Sequence, residues 1–244
     1  MTAKVDAKVD AIVVGGGFAG ITAARDLDAA GMRTILLEAR DRLGGRTWTS
    51  LFAGKRIEMG GTWLHWLQPH IWTELTRHGI PIAEDPAAET YILASDGGLG
   101  RFTREEAVPR LRELAERYFA GAREILDQPY DPLLRKREIQ PLDELSLQDR
   151  LIEQEFNEPD SDWLSGWLSQ QAGNRTSDAG FASMMRWWAL SGWNYDLCMD
   201  ALARYRPEGG MIRVIEAMLS TSEVEVRLNQ AVASVEDNGE SVEV

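Results

Sequence analysis

The sequence predicts an α/β fold because a strand, glycine turn, helix and strand fill residues 9–38, a long helix-patterned block follows, and strand-like alternation returns after residue 223. The first pattern is that of a Rossmann-like domain. The second reads as a mainly helical domain inserted into it, so the expected division is 1–80 with 206–244 for the first and 81–205 for the second.

Residues 9–14 are an apolar strand that ends on Gly15, Gly17 and Gly20, spaced G-x-G-x-x-G. Each glycine meets a separate steric demand. Gly15 permits the tight turn out of the strand, Gly17 lets backbone amides approach a pyrophosphate, and Gly20 lets the helix lie close to the sheet. The expected helix, residues 18–30, begins at Phe18 and Ala19 and points its unpaired N–H groups and positive dipole end at those phosphates. Gly31 suits the left-handed residue that closes a helix. A second strand, 33–37, leads to Glu38, 18 residues past Gly20, where a carboxylate can accept from a ribose diol. Just beyond lie Arg40 and then Gly44-Gly45-Arg46, a second amide-rich turn with a guanidinium. That combination suits a pyrophosphate gripped from two sides.

Further along, 55–58 reads as a short strand running into Gly60-Gly61, where backbone free of side chains can lie against a flat ring. His65 and His70 have no acid or cysteine at ligand spacing nearby, so no metal site is expected. Pro69 starts a helix to about residue 78, closed by Gly79. Residues 103–126 carry Leu111, Leu114, Ala115, Tyr118, Phe119 and Ile125 at helical spacing, with Pro109 best placed near the first turn. Gln128 to Pro132 form a loop, Arg135-Lys136-Arg137 a solvated basic surface, and Ser146 with Asp149 a capping pair that opens a helix to about residue 156. Further helices are expected over 160–171 and 178–190, the latter apolar nearly all round, with Trp187 and Trp188 in the core. A helix over 211–219, strands over 224–228 and 231–236, and a hairpin turn over 237–240 close the reading.

Composition sets the outer bounds. Of 244 residues, 44% are hydrophobic and 27% charged, as in a globular chain with a large core. A net charge of −13 argues against nucleic acid and anionic membranes as partners. No apolar run reaches the length of a membrane span, and the first strand begins too early for a signal peptide. Cys198 is the one cysteine, which excludes an internal disulfide and makes the reducing cytoplasm the expected compartment.

The run E-A-R-D-R-x-G-G-R, followed by Glu58-Met59-Gly60-Gly61-Thr62-Trp63, resembles the flavin-dependent amine oxidases, which include monoamine and polyamine oxidases. Residues 60–72 and Gly192-Trp193-Asn194-Tyr195-Asp196 look most like the bacterial nicotine-oxidase branch. The resemblance implies an FAD cofactor, held by the residues above, with Gly60, Gly61, Thr62 and Trp63 lining the isoalloxazine and Val232 clamping the adenine through its backbone. It also implies a substrate domain in which Trp63, Trp193, Asn194 and Tyr195 face the amine, with Trp167 and Gln171 as further candidates for the same wall. Eight of the nine tryptophans lie between residues 63 and 193, and an aromatic pocket suits a hydrophobic amine. The implied reaction is hydride transfer from the carbon beside an amine nitrogen to the flavin, with water then hydrolysing the imine. The lysine expected near flavin N5 has no counterpart among Lys4, Lys8, Lys55 and Lys136. The expectation is therefore an N-terminal portion of the family fold, completed by a second polypeptide or truncated, with a homo-oligomer left open. A non-catalytic flavin-binding or assembly subunit is the alternative. An NAD-dependent dehydrogenase would share residues 9–38 but leave Gly44-Gly45-Arg46 and Gly60-Gly61 unexplained.

Overall fold

The computed structural model describes residues 8–95 and 97–244. The chain divides into two compact units, one made of 1–64, 68–84 and 206–244, the other of 65–67 and 85–205.

In the first unit, strand β1 (Ala11–Val14), helix α1 (Phe18–Ala29) and strand β2 (Thr34–Leu37) form the expected βαβ unit. β1 pairs in parallel with β2 from Ala11 opposite Thr34 to Val14 opposite Leu37, and Glu225–Arg227 adds in parallel on the far side of β2. Parallel neighbours need a crossover, and α1 supplies the first. The helix Met211–Leu219 packs against α1. The inward faces of both helices, Ile21 and Ala24 with Val214, Ile215 and Met218, are buried, as are Ile35 and Leu36 of the central strand. A polar contact ties α1 to the helix Pro69–Arg77: Arg25 Nη1 donates to Glu74 Oε2 at 2.6 Å, with both residues 8% exposed.

An antiparallel hairpin of β3 (Thr49–Phe52) and β4 (Lys55–Glu58) leads out of the glycine turns. Its base receives the helix Met211–Leu219. Glu58 Oε1 accepts from the Met211 N–H at 3.0 Å and from the Thr49 hydroxyl at 2.7 Å, while Thr49 Oγ1 accepts from the Ile212 N–H at 3.1 Å. Two side chains distant in sequence thus satisfy helix-end donors that Gly210 has no side chain to reach.

The second unit is helical, built on Arg104–Tyr118, Leu147–Glu153, Asp160–Ala172, Phe181–Leu190 and Tyr195–Ala203. Its core holds Leu111, Leu114 and Tyr118 from the first of these and the Phe119 that follows it, with Trp163, Leu164, Phe181 and Trp188. Phe119 stacks on Trp188 with ring centres 4.9 Å apart, and the buried Tyr118 hydroxyl donates to Leu147 O.

Several expectations change. The segment 103–126 is two helices, Arg104–Tyr118 and Ala122–Ile125, because Gly121 turns left-handed at φ 84°. Pro109 sits in the second turn of the first helix, opened instead by Thr103 and Glu106 as a capping box. The Ser146 and Asp149 capping box forms, but its helix stops at Glu153. Trp187 is 38% exposed, while Trp188 is buried. The expected strand over 231–236 is absent: only Glu236–Asp237 pairs, with Val242–Glu243. An extended segment needs a partner strand, and among the described residues 231–235 has none. The hairpin Thr90–Ser95 with Gly98–Thr103 and the helices Lys136–Asp143 and Tyr195–Ala203 have no counterpart in the sequence reading.

Breaking the Arg25–Glu74 pair leaves a buried guanidinium with only the exposed Asp26 carboxylate as its acidic partner. Glu74→Ala is therefore expected to lower unfolding free energy by about 3 kcal/mol. Asp26→Ala, which removes an exposed partner of the same arginine, is expected to cost less than about 1 kcal/mol. Urea denaturation followed by far-UV circular dichroism reads both, and equal losses would contradict the assignment.

Candidate functional site

Two glycine turns of the first unit pack backbone against backbone. The main chain of Gly16 is held from both sides: its N–H donates to Glu38 Oε2 at 2.7 Å, and its carbonyl accepts from the Gly44 N–H at 2.8 Å. A Cβ on Gly45 would stand 3.2 Å from Gly17 Cα, and one on Gly16 would fall 2.4 Å from the Leu43 side chain. At Gly20 the conflict is with main chain, 1.9 Å from Gly15 O, so this position admits only glycine while α1 leaves the turn at its present angle.

The turn over 44–47 is closed by the Thr47 N–H and hydroxyl, both donating to Gly44 O, at 3.0 and 2.9 Å. Facing it is the start of α1. The first intrahelical bond of this end is Ile21 N–H to Gly17 O, so the N–H groups of Phe18, Ala19 and Gly20 have no helical acceptor. Gly17 brings no side-chain cap, and the first turn carries no acid. Arg40, Arg42 and Arg46 stand within the adjoining loop. Free amides, an uncompensated helix N-terminus and nearby guanidinium groups make this a place for a phosphate-bearing anion.

Glu38 anchors the cradle. Its second oxygen, Oε1, accepts from the Arg40 N–H at 2.9 Å. Burial opposes its ionisation, but the Arg40 and Gly16 N–H groups, with the Arg40 and Arg42 charges, outweigh burial and hold the carboxyl below its ordinary range. The main chain of the same corner binds the returning segment: Gln230 N–H donates to Glu38 O and Asn229 N–H to Arg40 O, each at 2.9 Å. Val232, two residues on, is partly buried on a stretch without strand pairing.

A third glycine pair closes against the second turn. Gly61 N–H donates to Arg46 O at 3.0 Å, and a Cβ on Gly60 would lie 2.2 Å from that oxygen. The Thr62 hydroxyl donates to Gly60 O, the Arg46 side chain is exposed, and Trp63 is 41% exposed. Three segments of main chain, joined by these contacts, therefore bring together Gly15, Gly17, Phe18, Ala19, Gly20, Glu38, Arg40, Gly45, Arg46, Gly60 and Gly61. Gly16, Thr49 and the specific roles of Arg42 and Glu58 were not expected from the sequence. The run of three glycines at 15–17 was the available sign for Gly16; Arg42 and Glu58 stand in the family-like runs, but nothing local shows which main-chain groups they hold.

In the second unit, Trp167 and Tyr195 are buried neighbours with ring centres 5.7 Å apart, and the Trp167 indole N–H donates to Met199 Sδ at 3.3 Å. Gln171, one turn beyond Trp167, is partly exposed. Trp193 takes a left-handed backbone at φ 54°, with the Arg123 guanidinium 5.2 Å from its ring centre. Asn194 caps the next helix, its Oδ1 accepting from the Leu197 N–H at 3.1 Å. His65 is buried, with Nδ1 accepting from the Leu67 N–H and Nε2 3.2 Å from Asp200 Oδ2. Burial lowers its pKa although Asp200 pulls the other way. Burial also raises the Cys198 thiol to about 11, only partly offset by Ser191. Among the described residues no group of three His, Cys, Asp or Glu side chains is placed to hold a metal, and no helix is long and apolar enough to cross a membrane.

Comparison with known proteins adds family evidence. The family model described as flavin-containing amine oxidoreductase matches residues 18–244. Nicotine dehydrogenase of Pseudomonas putida (strain DSM 28022 / S16) is 40% identical over 100% of this chain and 51% of its own length. Pseudooxynicotine dehydrogenase of a Pseudomonas species is 38% identical over 96% of this chain and 48% of its own. A solved structure of a putrescine oxidase triple mutant superposes with a TM-score of 0.74 at 26% identity, over 96% of this chain and 53% of that one. The chain thus spans about half the length of the relatives it matches.

Because the Glu38 carboxyl is held low in the folded chain, its contribution is present above the ordinary carboxyl value of 4.5 and is lost as pH falls through the lower, folded value. Glu38→Gln should therefore be less stable than the parent near pH 7, by about 1–3 kcal/mol. The gap should close in acid. Denaturant midpoints at the two pH values check this, and a gap independent of pH would contradict it.

Proposed function

The chain belongs to the flavin-containing amine oxidoreductase family, and from that premise we propose that it binds FAD and serves in the oxidation of a hydrophobic amine. The observation that carries the reading is the paired glycine turn, whose outward amides sit between α1 and the Arg40, Arg42 and Arg46 loop.

The residues present fit the cofactor's chemistry. In this reading Gly17, Phe18, Ala19, Gly45 and Arg46 take the pyrophosphate, with Gly15 and Gly20 setting the turn that presents them. Side-chain atoms at Gly16, Gly20 or Gly45 would fill the closest approaches of the cradle. Glu38 accepts from the ribose while keeping its bonds to the Gly16 and Arg40 N–H groups, since each carboxylate oxygen has a second lone pair. The Gly60–Trp63 segment offers exposed main chain and one exposed indole to a flat ring, and Val232 a main-chain contact to the adenine. When bound, the flavin supplies a two-electron acceptor for hydride from the carbon beside the amine nitrogen.

For the substrate, the reading follows the two nicotine-degrading relatives and assigns a secondary or cyclic, nicotine-like amine. Gln171 and Trp193 have surface to offer it. Trp167 and Tyr195, buried against one another, would form the water-free part of the same wall. Asn194 acts by holding the turn that presents Trp193.

The test is the visible spectrum of FAD-reconstituted protein under anaerobic conditions with nicotine, pseudooxynicotine and putrescine. Bleaching by the first two but not by putrescine is the expected result. Flavin that stays oxidised with every amine would contradict the catalytic reading and favour a binding subunit, while absence of FAD uptake would contradict the cofactor reading itself.

A further inference from the structure

We propose that Arg42 is a positioning residue for the dinucleotide, acting through the turn it encloses; the inference rests on the FAD reading above. Its guanidinium gathers three carbonyls of the following five residues. Nη1 donates to Leu43 O at 3.2 Å and to Thr47 O at 3.1 Å, and Nη2 donates to Gly45 O at 3.2 Å. The group is partly buried, with its central carbon 4.9 Å from the centre of the Trp48 ring.

In a trans peptide the N–H points opposite to the C=O of the same unit. Taking Leu43 O therefore aims the Gly44 N–H away from Arg42, and that N–H is the one that reaches Gly16 O. Taking Gly45 O likewise aims the Arg46 N–H of the same peptide unit away from the guanidinium. Arg42 thus sets both the docking of the second turn on the first and the direction of an amide the anion needs. Arg40 also reaches Gly45 O, at 3.3 Å, but from an exposed position and with one bond. Three carbonyls at different angles call for the planar fork of an arginine. A lysine would restore the charge without the geometry.

The experiment uses the full chain with Arg42→Ala and Arg42→Lys. FAD and ADP titrations follow tryptophan fluorescence, and amide hydrogen exchange is recorded on the ligand-free proteins. The expected result is an affinity loss of about ten-fold or more for both ligands, since both carry the pyrophosphate. Lysine should recover only part of it. Faster exchange at Gly44 and Thr47 should accompany the loss, with helical content unchanged. Should Arg42→Ala not fold, Arg42→Gln replaces it in the same comparison.

Parent-like affinity in the variants, full rescue by lysine, or unchanged exchange at Gly44 and Thr47 would overturn the inference while leaving the FAD reading intact. A parent chain that binds neither FAD nor ADP would overturn both.

Discussion

The structure of the first unit depends on the main chain of one residue, Gly16, whose N–H donates to the Glu38 carboxylate and whose carbonyl accepts from the Gly44 N–H. A buried residue with both of its backbone polar groups satisfied by distant residues fixes position far better than a surface turn does. It joins the end of β1, the end of β2 and the loop beyond β2 at one point. Because the acceptor on one side is ionised, the bond is of the stronger, charge-assisted kind.

From that point the constraint spreads through main chain. Gly44 carries it into the second turn, whose far carbonyl, Arg46 O, receives the Gly61 N–H. The hairpin between these glycine sites then reaches the helix Met211–Leu219 through Thr49 and Glu58. The Glu38–Arg40 corner receives the segment at 229–230. Residues more than 150 positions apart in sequence therefore meet around the same turns, and small residues recur there because the contacts are between backbones. This is a rigid arrangement of donors built before any ligand arrives, which lowers the ordering cost of holding an anion.

How much of this was legible in the sequence follows from range. The βαβ unit, its glycine spacing and the acid at Glu38 are local, and strand, helix and turn chemistry specify them within 30 residues. The fold class and the family could accordingly be read. What escaped is set by tertiary partners. Arg42 looks like any loop arginine until three carbonyls are seen around it. Glu58 looks like a strand-end acid until Met211 arrives from 153 positions away. The strand expected at 231–236 had the right alternation but no neighbour to pair with, and Trp187 had the composition of a core residue on the wrong face of its helix. Asn194 was expected only to face the amine, because the helix it caps, Tyr195–Ala203, was not expected from the sequence.

The central claim is that the amides at the start of α1 and in the second glycine turn form one anion cradle. The most direct test is the backbone amide spectrum of isotopically labelled protein titrated with ADP. The Phe18, Ala19, Gly45 and Arg46 signals are expected to move together, with a single dissociation constant. Signals that move at only one of the two turns, or that move elsewhere while these four stay fixed, would contradict it.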